Sequence, residues 1–287
     1  MNVGMQVRRY SDVVSFLNRA ESFLMRGKAE NSMMLGLGGQ PGDSPRMYGD
    51  DCYMSTVEDG GAVVACGFRS PPFGLIITRA EVSALECLAE DVAAKYETLP
   101  AVLGPEPVVS AFAALWCKRA GTRSHPIMRM RVFVAHQVQR LSPHPPGIMR
   151  PALESDLPVI IPWAISFHRE ARTGTPLDPA GTIRDEVAHR RVLLWDHDGA
   201  VSMATWAGRT SRTVRIGIAY TPPEHRRRGY ASGCVAALTE RLLSEGVAYC
   251  IINTDVTNAT TNKIYPAIGY RPVCDVSNIG LQAVRSV

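Results

Sequence analysis

Pro222-Pro223-Glu224-His225-Arg226-Arg227-Arg228-Gly229-Tyr230-Ala231-Ser232 is the stretch on which the reading of this 287-residue chain turns. It follows a strand-like run, Thr213 to Tyr220, in which Val214, Ile216, Ile218 and Tyr220 alternate onto one face. Pro222 and Pro223 stop that strand, because proline has no N–H to give to a ladder. Downstream, Ala231, Val235, Leu238 and Leu242 recur at helical spacing, with Gly246 placed as a terminating cap. Val247 to Ile252 is then a short apolar run suited to a buried parallel strand. A loop between a strand and a helix start turns backbone N–H groups, and the positive end of the helix dipole, toward an anion. Gly229 lets the backbone approach a phosphate closely, and Ala231 and Ser232 keep the first turn uncrowded. The expected occupant is a pyrophosphate; isolated from its context, the same run reads as a solvated arginine turn. No Gly-Lys-Ser/Thr follows it and no Gly-x-Gly-x-x-Gly precedes it, so it is neither a Walker loop nor a dinucleotide fingerprint.

A second patch lies downstream, running from Asn258 through Asn262 and Tyr265 to Gly269-Tyr270. Asn262 and Tyr265 are three residues apart and share a face if the segment is helical. Pro266 biases the residue before it away from helical angles, which predicts that this helix ends near Tyr265. Arg226-x-x-Gly229-x-Ala231, followed in order by Asn258, Asn262, Tyr265 and Gly269-Tyr270, resembles the coenzyme A loop and the distal segment of the GNAT superfamily of N-acetyltransferases. The resemblance implies an α/β (α+β, mixed-sheet) acyl-CoA N-acyltransferase fold and acetyl-CoA, or coenzyme A, as co-substrate. It implies that Arg226, Arg227, Arg228, Gly229, Tyr230 and Ala231 form the phosphate cradle, with Asn258 and Asn262 on the pantetheine arm or diphosphate. It also implies that the strand before the loop splays from its neighbour, so that amides around Ile218, Ala219 and Tyr220 polarise the thioester carbonyl. Tyr265 would return a proton to the departing sulfur; read without the family, it is a core aromatic.

These inferences give an acetyl-CoA-dependent N-acetyltransferase that joins its acetyl group to a primary amine by direct attack in a ternary complex, the amine being a small molecule or a peptide. The alternative is a non-catalytic acyl-CoA sensor. Glu170, Asp178 and Asp255 are open candidates for the base, each equally readable as a solvated carboxylate. Trp163 and Phe167, four apart on an expected helix capped by Ser155, wall an acceptor pocket in the family and are otherwise core. Asp196-His197-Asp198-Gly199 reads as a hairpin turn rather than a metal site, and Cys234 as a packed thiol; no metal is expected.

A net charge of +4 suits an anionic ligand but is too small to call for nucleic acid, and Arg226–Arg228 has no interleaved aromatic platform. Seven dispersed cysteines without a C-x-x-C pair, no long apolar run and no secretory pattern at the start point to a cytoplasmic protein with no membrane partner.

The first half echoes the second. Glu58 to Ala65 resembles His197 to Ala204, the helix–strand passage ending at Ala101–Leu103 resembles that ending at Cys250–Ile252, and Lys118-Arg-Ala-Gly121 resembles Pro266-Ala-Ile-Gly269. The spacing lengthens in the second copy where its phosphate loop stands; the first has only Arg79-Ala80-Glu81 there, and Cys117 where Tyr265 falls. Two tandem copies are therefore expected: a divergent domain over 1–140, a proline-rich linker of few contacts at 141–147, and a catalytic domain over 148–287. Such a chain would be a monomeric pseudo-dimer or a homodimer.

Overall fold

Strand β1 (Gln6–Tyr10) leads into helices α1 (Val13–Leu24) and α2 (Ser32–Leu35), strands β2 (Tyr53–Asp59), β3 (Ala62–Arg69) and β4 (Leu75–Ile77), helix α3 (Val82–Lys95), strand β5 (Ala101–Pro105), helix α4 (Val108–Ala120) and strand β6 (Thr122–Ala135). The same succession then recurs as β7 (Ile148–Pro151), α5 (Leu157–Ala171), α6 (Pro179–Ala188), β8 (Val192–Asp196), β9 (Ala200–Ala207), β10 (Thr213–Tyr220), α7 (Tyr230–Ser244), β11 (Tyr249–Asp255), α8 (Thr261–Ile268) and β12 (Arg271–Ala283). The computed structural model describes residues 4–38, 51–171, 178–210 and 212–283. Pairing repeats along with order. In each copy the first four strands are antiparallel neighbours in sequence order, and the fourth then pairs in parallel with the fifth, across a helical crossover.

Contacts divide the chain into two compact units, Met1–Val132 with Val273–Val287, and Phe133–Pro272. This partition differs from the expected one in a physical respect: β12, the last strand of the second copy, pairs antiparallel with β5 of the first, from Val276↔Pro105 to Gly280↔Ala101. Asp275 on β12 holds Arg131 at 2.9 Å and Arg129 at 2.9 Å within the same unit. Conversely, the tip of β6 (Phe133 and Ala135) is buried in the core of the second unit.

In the second unit the sheet is covered on both faces. Helices α7 and α8 bury Val235, Leu238, Leu242, Tyr265 and Ile268 against Val214, Ile216, Cys250 and Ile252. Helices α5 and α6 bury Ile160, Ala164, Ile183 and Val187 against Leu194, Met203 and Tyr220. Each such aliphatic burial stabilises by about 1.5–3 kcal/mol. The α5 start departs from expectation: among the described residues Ser155 makes no cap, and the Asp156 carboxylate instead accepts the Leu153 N–H at 2.8 Å and grips Arg150 at 2.7 Å. The 141–147 segment was expected to make few contacts, yet its second half is packed. Trp195 Nε1 donates to the Pro146 carbonyl at 2.8 Å, and the His144 ring lies 5.8 Å from that indole.

Candidate active site

The strand before the loop was expected to keep one face from Val214 to Tyr220, and it does not. Between Ile216 and Ala219 its register against β9 shifts, which is a β-bulge. Val214 and Ile216 therefore belong to the core under α7, whereas Ile218 and Tyr220 belong to the core under α5. Gly217 makes the bulge possible, because a Cβ there would stand 2.6 Å from the Thr205 hydroxyl. That hydroxyl accepts the Ile218 N–H at 2.9 Å, so the Ile218 amide is engaged toward β9 rather than turned to the opposite edge. The Tyr220 carbonyl accepts Ser202 Oγ of β9 at 3.0 Å, so Tyr220 also faces β9. By strand alternation Ala219 turns its N–H to the opposite edge. On that edge the parallel ladder with β11 has already ended at Ile216↔Ile252. Of the three expected amides, Ala219 is the one left facing the gap.

Beyond the bulge the chain turns through Pro223–His225 and enters α7 from Gly229, whose φ of +83° is left-handed. Arg227 also has a positive φ, 63°. No side chain caps this helix, and its first turn bond is Gly233 N–H to the Gly229 carbonyl at 2.9 Å. The leading amides of α7 are thus free of the usual Ser, Thr or Asp cap, as an anion cradle requires. The packed linker supports it: Pro145 lies 3.4 Å from where a Gly229 Cβ would be, and would stand 2.7 Å from a Cβ at Gly233.

The expected cradle residues divide by role. Arg227 and Arg228 are exposed, while Arg226 is fixed, its Nε donating to the Thr221 carbonyl at 2.9 Å and its Nη2 to Glu170 at 2.7 Å. Tyr230 offers only its backbone, since its ring is buried and its hydroxyl is bonded to His197 Nδ1 at 2.7 Å. Ala231 lies in the first turn of α7.

The second patch differs from the sequence reading in two ways. Helix α8 does not end near Tyr265 but runs through Pro266 to Ile268. Pro266 forfeits one bond, to the Asn262 carbonyl, and the end is secured by Gly269 at φ +115° and by Tyr270 N–H on the Tyr265 carbonyl at 3.0 Å. The asparagines are committed to the chain itself. Asn258 Oδ1 accepts the N–H groups of Thr260 and Thr261 at 3.1 and 3.2 Å, and Asn262 Nδ2 donates to the carbonyls of Asp255 and Asn258 at 3.0 and 2.8 Å. Asn258 has no carbonyl left to give a ligand without opening the turn. Asn262 Oδ1 is buried without a partner among the described residues.

Tyr265 is 6% exposed, edge-on to Phe133 at 6.0 Å and tilted against Tyr270 at 5.9 Å. Burial pushes its phenol well above the usual tyrosine range, so it stays protonated at neutral pH. Among the described residues no side chain or carbonyl bonds its hydroxyl.

The candidate bases have structural employment. Asp178 caps α6 through the Gly181 N–H at 2.8 Å, and Asp255 holds the Thr257 N–H and hydroxyl at 2.8 and 2.7 Å. Glu170 accepts the Tyr220 hydroxyl at 3.0 Å as well as Arg226. Asp198 and Gly199 both have positive φ, as an Asp-Gly hairpin turn needs, and Asp196 is tied to Arg150 at 2.7 Å. Cys234 is buried, and burial pushes its thiol up to about 12. Trp163 and Phe167 are half-buried against the α5 core, beside Ile218 and Tyr220. Sequence reasoning missed Thr205 and Gly217, which make the bulge; a glycine inside an apolar strand was its one visible signal.

Residues 195–277 match the family model described as FR47-like protein. No curated protein matches the chain. Among solved structures it is similar to a GCN5-related N-acetyltransferase from Sphaerobacter thermophilus, with 14% identity, TM-score 0.60, and coverage of 99% of this chain and 97% of that one. An acetyltransferase of the GNAT family from Colwellia psychrerythraea gives 10% identity and TM-score 0.58 over 97% and 100%. A tandem GNAT protein from the clavulanic acid biosynthesis pathway gives 13% identity and TM-score 0.57 over 99% and 100%. The chain has the GNAT fold, in two tandem copies.

Proposed function

We propose that this tandem GNAT-fold chain is an N-acetyltransferase that uses acetyl-CoA as donor and a primary amine as acceptor, with one active site, in the second copy. The observation that carries the reading is the gap between β10 and β11, where the Ala219 N–H faces no strand and a nine-residue loop leads from the end of β10 to the uncapped N-terminus of α7.

Acetyl-CoA, as a substrate, would supply the activated thioester. The amides opening α7, with Arg227 and Arg228, suit its diphosphate, and the Ala219 N–H suits its carbonyl oxygen. Preorganised donors of this kind act most strongly where charge develops on that oxygen. The amine lone pair forms the C–N bond as the C–S bond breaks. The proton lost by nitrogen leaves through water, and Tyr265 donates one to the sulfur and is reprotonated by solvent. A thiol is about 1.5 units more acidic than an ordinary phenol, so the Tyr265 hydrogen bond, rather than complete transfer, carries much of the benefit. Asn258 serves this site indirectly, by holding the start of α8 and hence Tyr265.

The test is a panel of primary amines incubated with acetyl-CoA, following thiol release and confirming the acetylated product by mass. Turnover of at least one amine, lost in the Tyr265→Phe protein, is the expected result. Coenzyme A binding without any product would make the chain a non-catalytic acyl-CoA binder; no coenzyme A binding at all would overturn the cradle.

A further inference from the structure

Asn253 is one residue past Ile252, the last position at which β11 pairs with β10. Side chains alternate along β11: Cys250 and Ile252 point into the core beneath α7 and α8, so Ile251 and Asn253 point to the other face. That is the face of α5, onto which the bulge has turned Ile218 and Tyr220. Asn253 is half-buried, and its Oδ1, shielded from solvent, has no hydrogen-bond partner among the described residues. A buried amide oxygen without a donor is costly, and at the mouth of a gap between strands it is suited to receive one.

We propose that Asn253 is the acceptor-binding residue: its side-chain oxygen takes a hydrogen bond from the N–H of the incoming amine and holds the nitrogen on the α5 face of the gap. This rests on the acetyltransferase reading above and goes beyond it by naming the residue that receives the nitrogen. Tyr265 lies in the core on the opposite face, with Ile252, so nucleophile and proton donor are kept apart by the plane of the sheet. The amine approaches beside Ile218, Tyr220 and the half-buried rings of Trp163 and Phe167, while the sulfur departs toward α8. An uncharged amide at this position binds an N–H without favouring the ammonium, whereas a carboxylate would raise the pKa of the bound amine and keep it protonated.

The experiment compares wild type, Asn253→Ala and Asn253→Asp, using the best amine from the panel. Coenzyme A affinity by calorimetry and the thermal midpoint check that each variant is folded. For Asn253→Ala we expect KM for the amine to rise about tenfold, the size of one lost hydrogen bond, with coenzyme A affinity unchanged. For Asn253→Asp we expect the acid limb of the pH–rate profile to move to higher pH. An unchanged amine KM in a folded Asn253→Ala protein overturns the proposal. So does weakened coenzyme A binding with an unchanged amine KM, which would assign Asn253 to the donor. Should wild type acetylate no amine, the acetyltransferase reading itself fails, a result separate from either of these.

Discussion

The β4–α3 passage of the first copy and the β10–α7 passage of the second stand at the same place in the repeat and do different things. Strand β4 has three residues and β10 has eight. Four residues join β4 to α3, whereas nine join β10 to α7. In the first copy β3 and β4 pair without a bulge, and the Thr78 hydroxyl closes the strand end by accepting the Cys66 N–H at 2.9 Å. Strands β4 and β5 stay together: a Cβ on Gly104 would stand 2.8 Å from Ile77. In the second copy the corresponding strands part, and the longer loop fills the exit. Both loops still anchor an arginine to a glutamate, Arg79 to Glu30 and Arg226 to Glu170. These are exposed pairs worth little to stability, so what separates the copies is backbone geometry rather than charge. A ligand site can arise here by lengthening one strand and one turn, with the order of elements untouched.

The sharpest way to break this contrast is at the paired positions Tyr265 and Cys117. Tyr265→Phe should lower kcat by about 10²-fold, toward the low end for a general acid, with coenzyme A affinity preserved. Equal loss of turnover in Cys117→Ser would mean that both copies contribute to the chemistry. Next in size is the cradle: Gly229→Ala forces a left-handed residue to carry a Cβ, and coenzyme A binding should weaken about tenfold by calorimetry, corresponding to the usual 1–2 kcal/mol of that strain. Undiminished binding would show that the phosphates sit elsewhere.

The hairpins allow a smaller comparison. Arg150 holds Asp156 and Asp196 below the usual carboxylate range, chiefly through its hydrogen bonds to them. Carboxylates depressed in the folded state stabilise it above their unfolded pKa of about 4 and lose that contribution as pH falls through the folded values. Arg150→Ala should therefore cost about 1–2 kcal/mol in denaturant unfolding at pH 7, allowing for solvent screening, and almost nothing once the acids are protonated. A penalty that persists undiminished in acid would point to packing instead. The smallest effect is expected of Arg79→Ala, the counterpart of Arg226, which should leave coenzyme A affinity within about twofold because its ion pair is exposed and remote in sequence from the cradle.

Much of this contrast was legible in the residues. The strand bounds Thr213–Tyr220, the loop and the start of α7 follow from proline, glycine and apolar spacing, which act locally. The echo of Glu58–Ala65 in His197–Ala204 is two hairpins with positive-φ turns. What escaped was decided at a distance. The bulge depends on the Thr205 hydroxyl from a neighbouring strand, and without it Ile218 appears to share a face with Ile216. Asn258 and Asn262 carry residue types suited to a ligand, but carbonyls and amides brought near by the turn after β11 claim them first. The continuation of α8 past Pro266 was obscured because the capping bonds at Gly269 and Tyr270 offset one missing bond.

Strand β12 has a consequence for how the chain is made. The first unit takes in β12, so although its other strands leave the ribosome first, it lacks a strand until Val276–Gly280 has followed. Until then the edge of β5 that will pair with Val276–Gly280 has unmet N–H and C=O groups, the kind of edge that recruits foreign strands. The second unit, which closes at Pro272, has all its strands before β12 is made, so the part of the molecule begun first is the last to be closed.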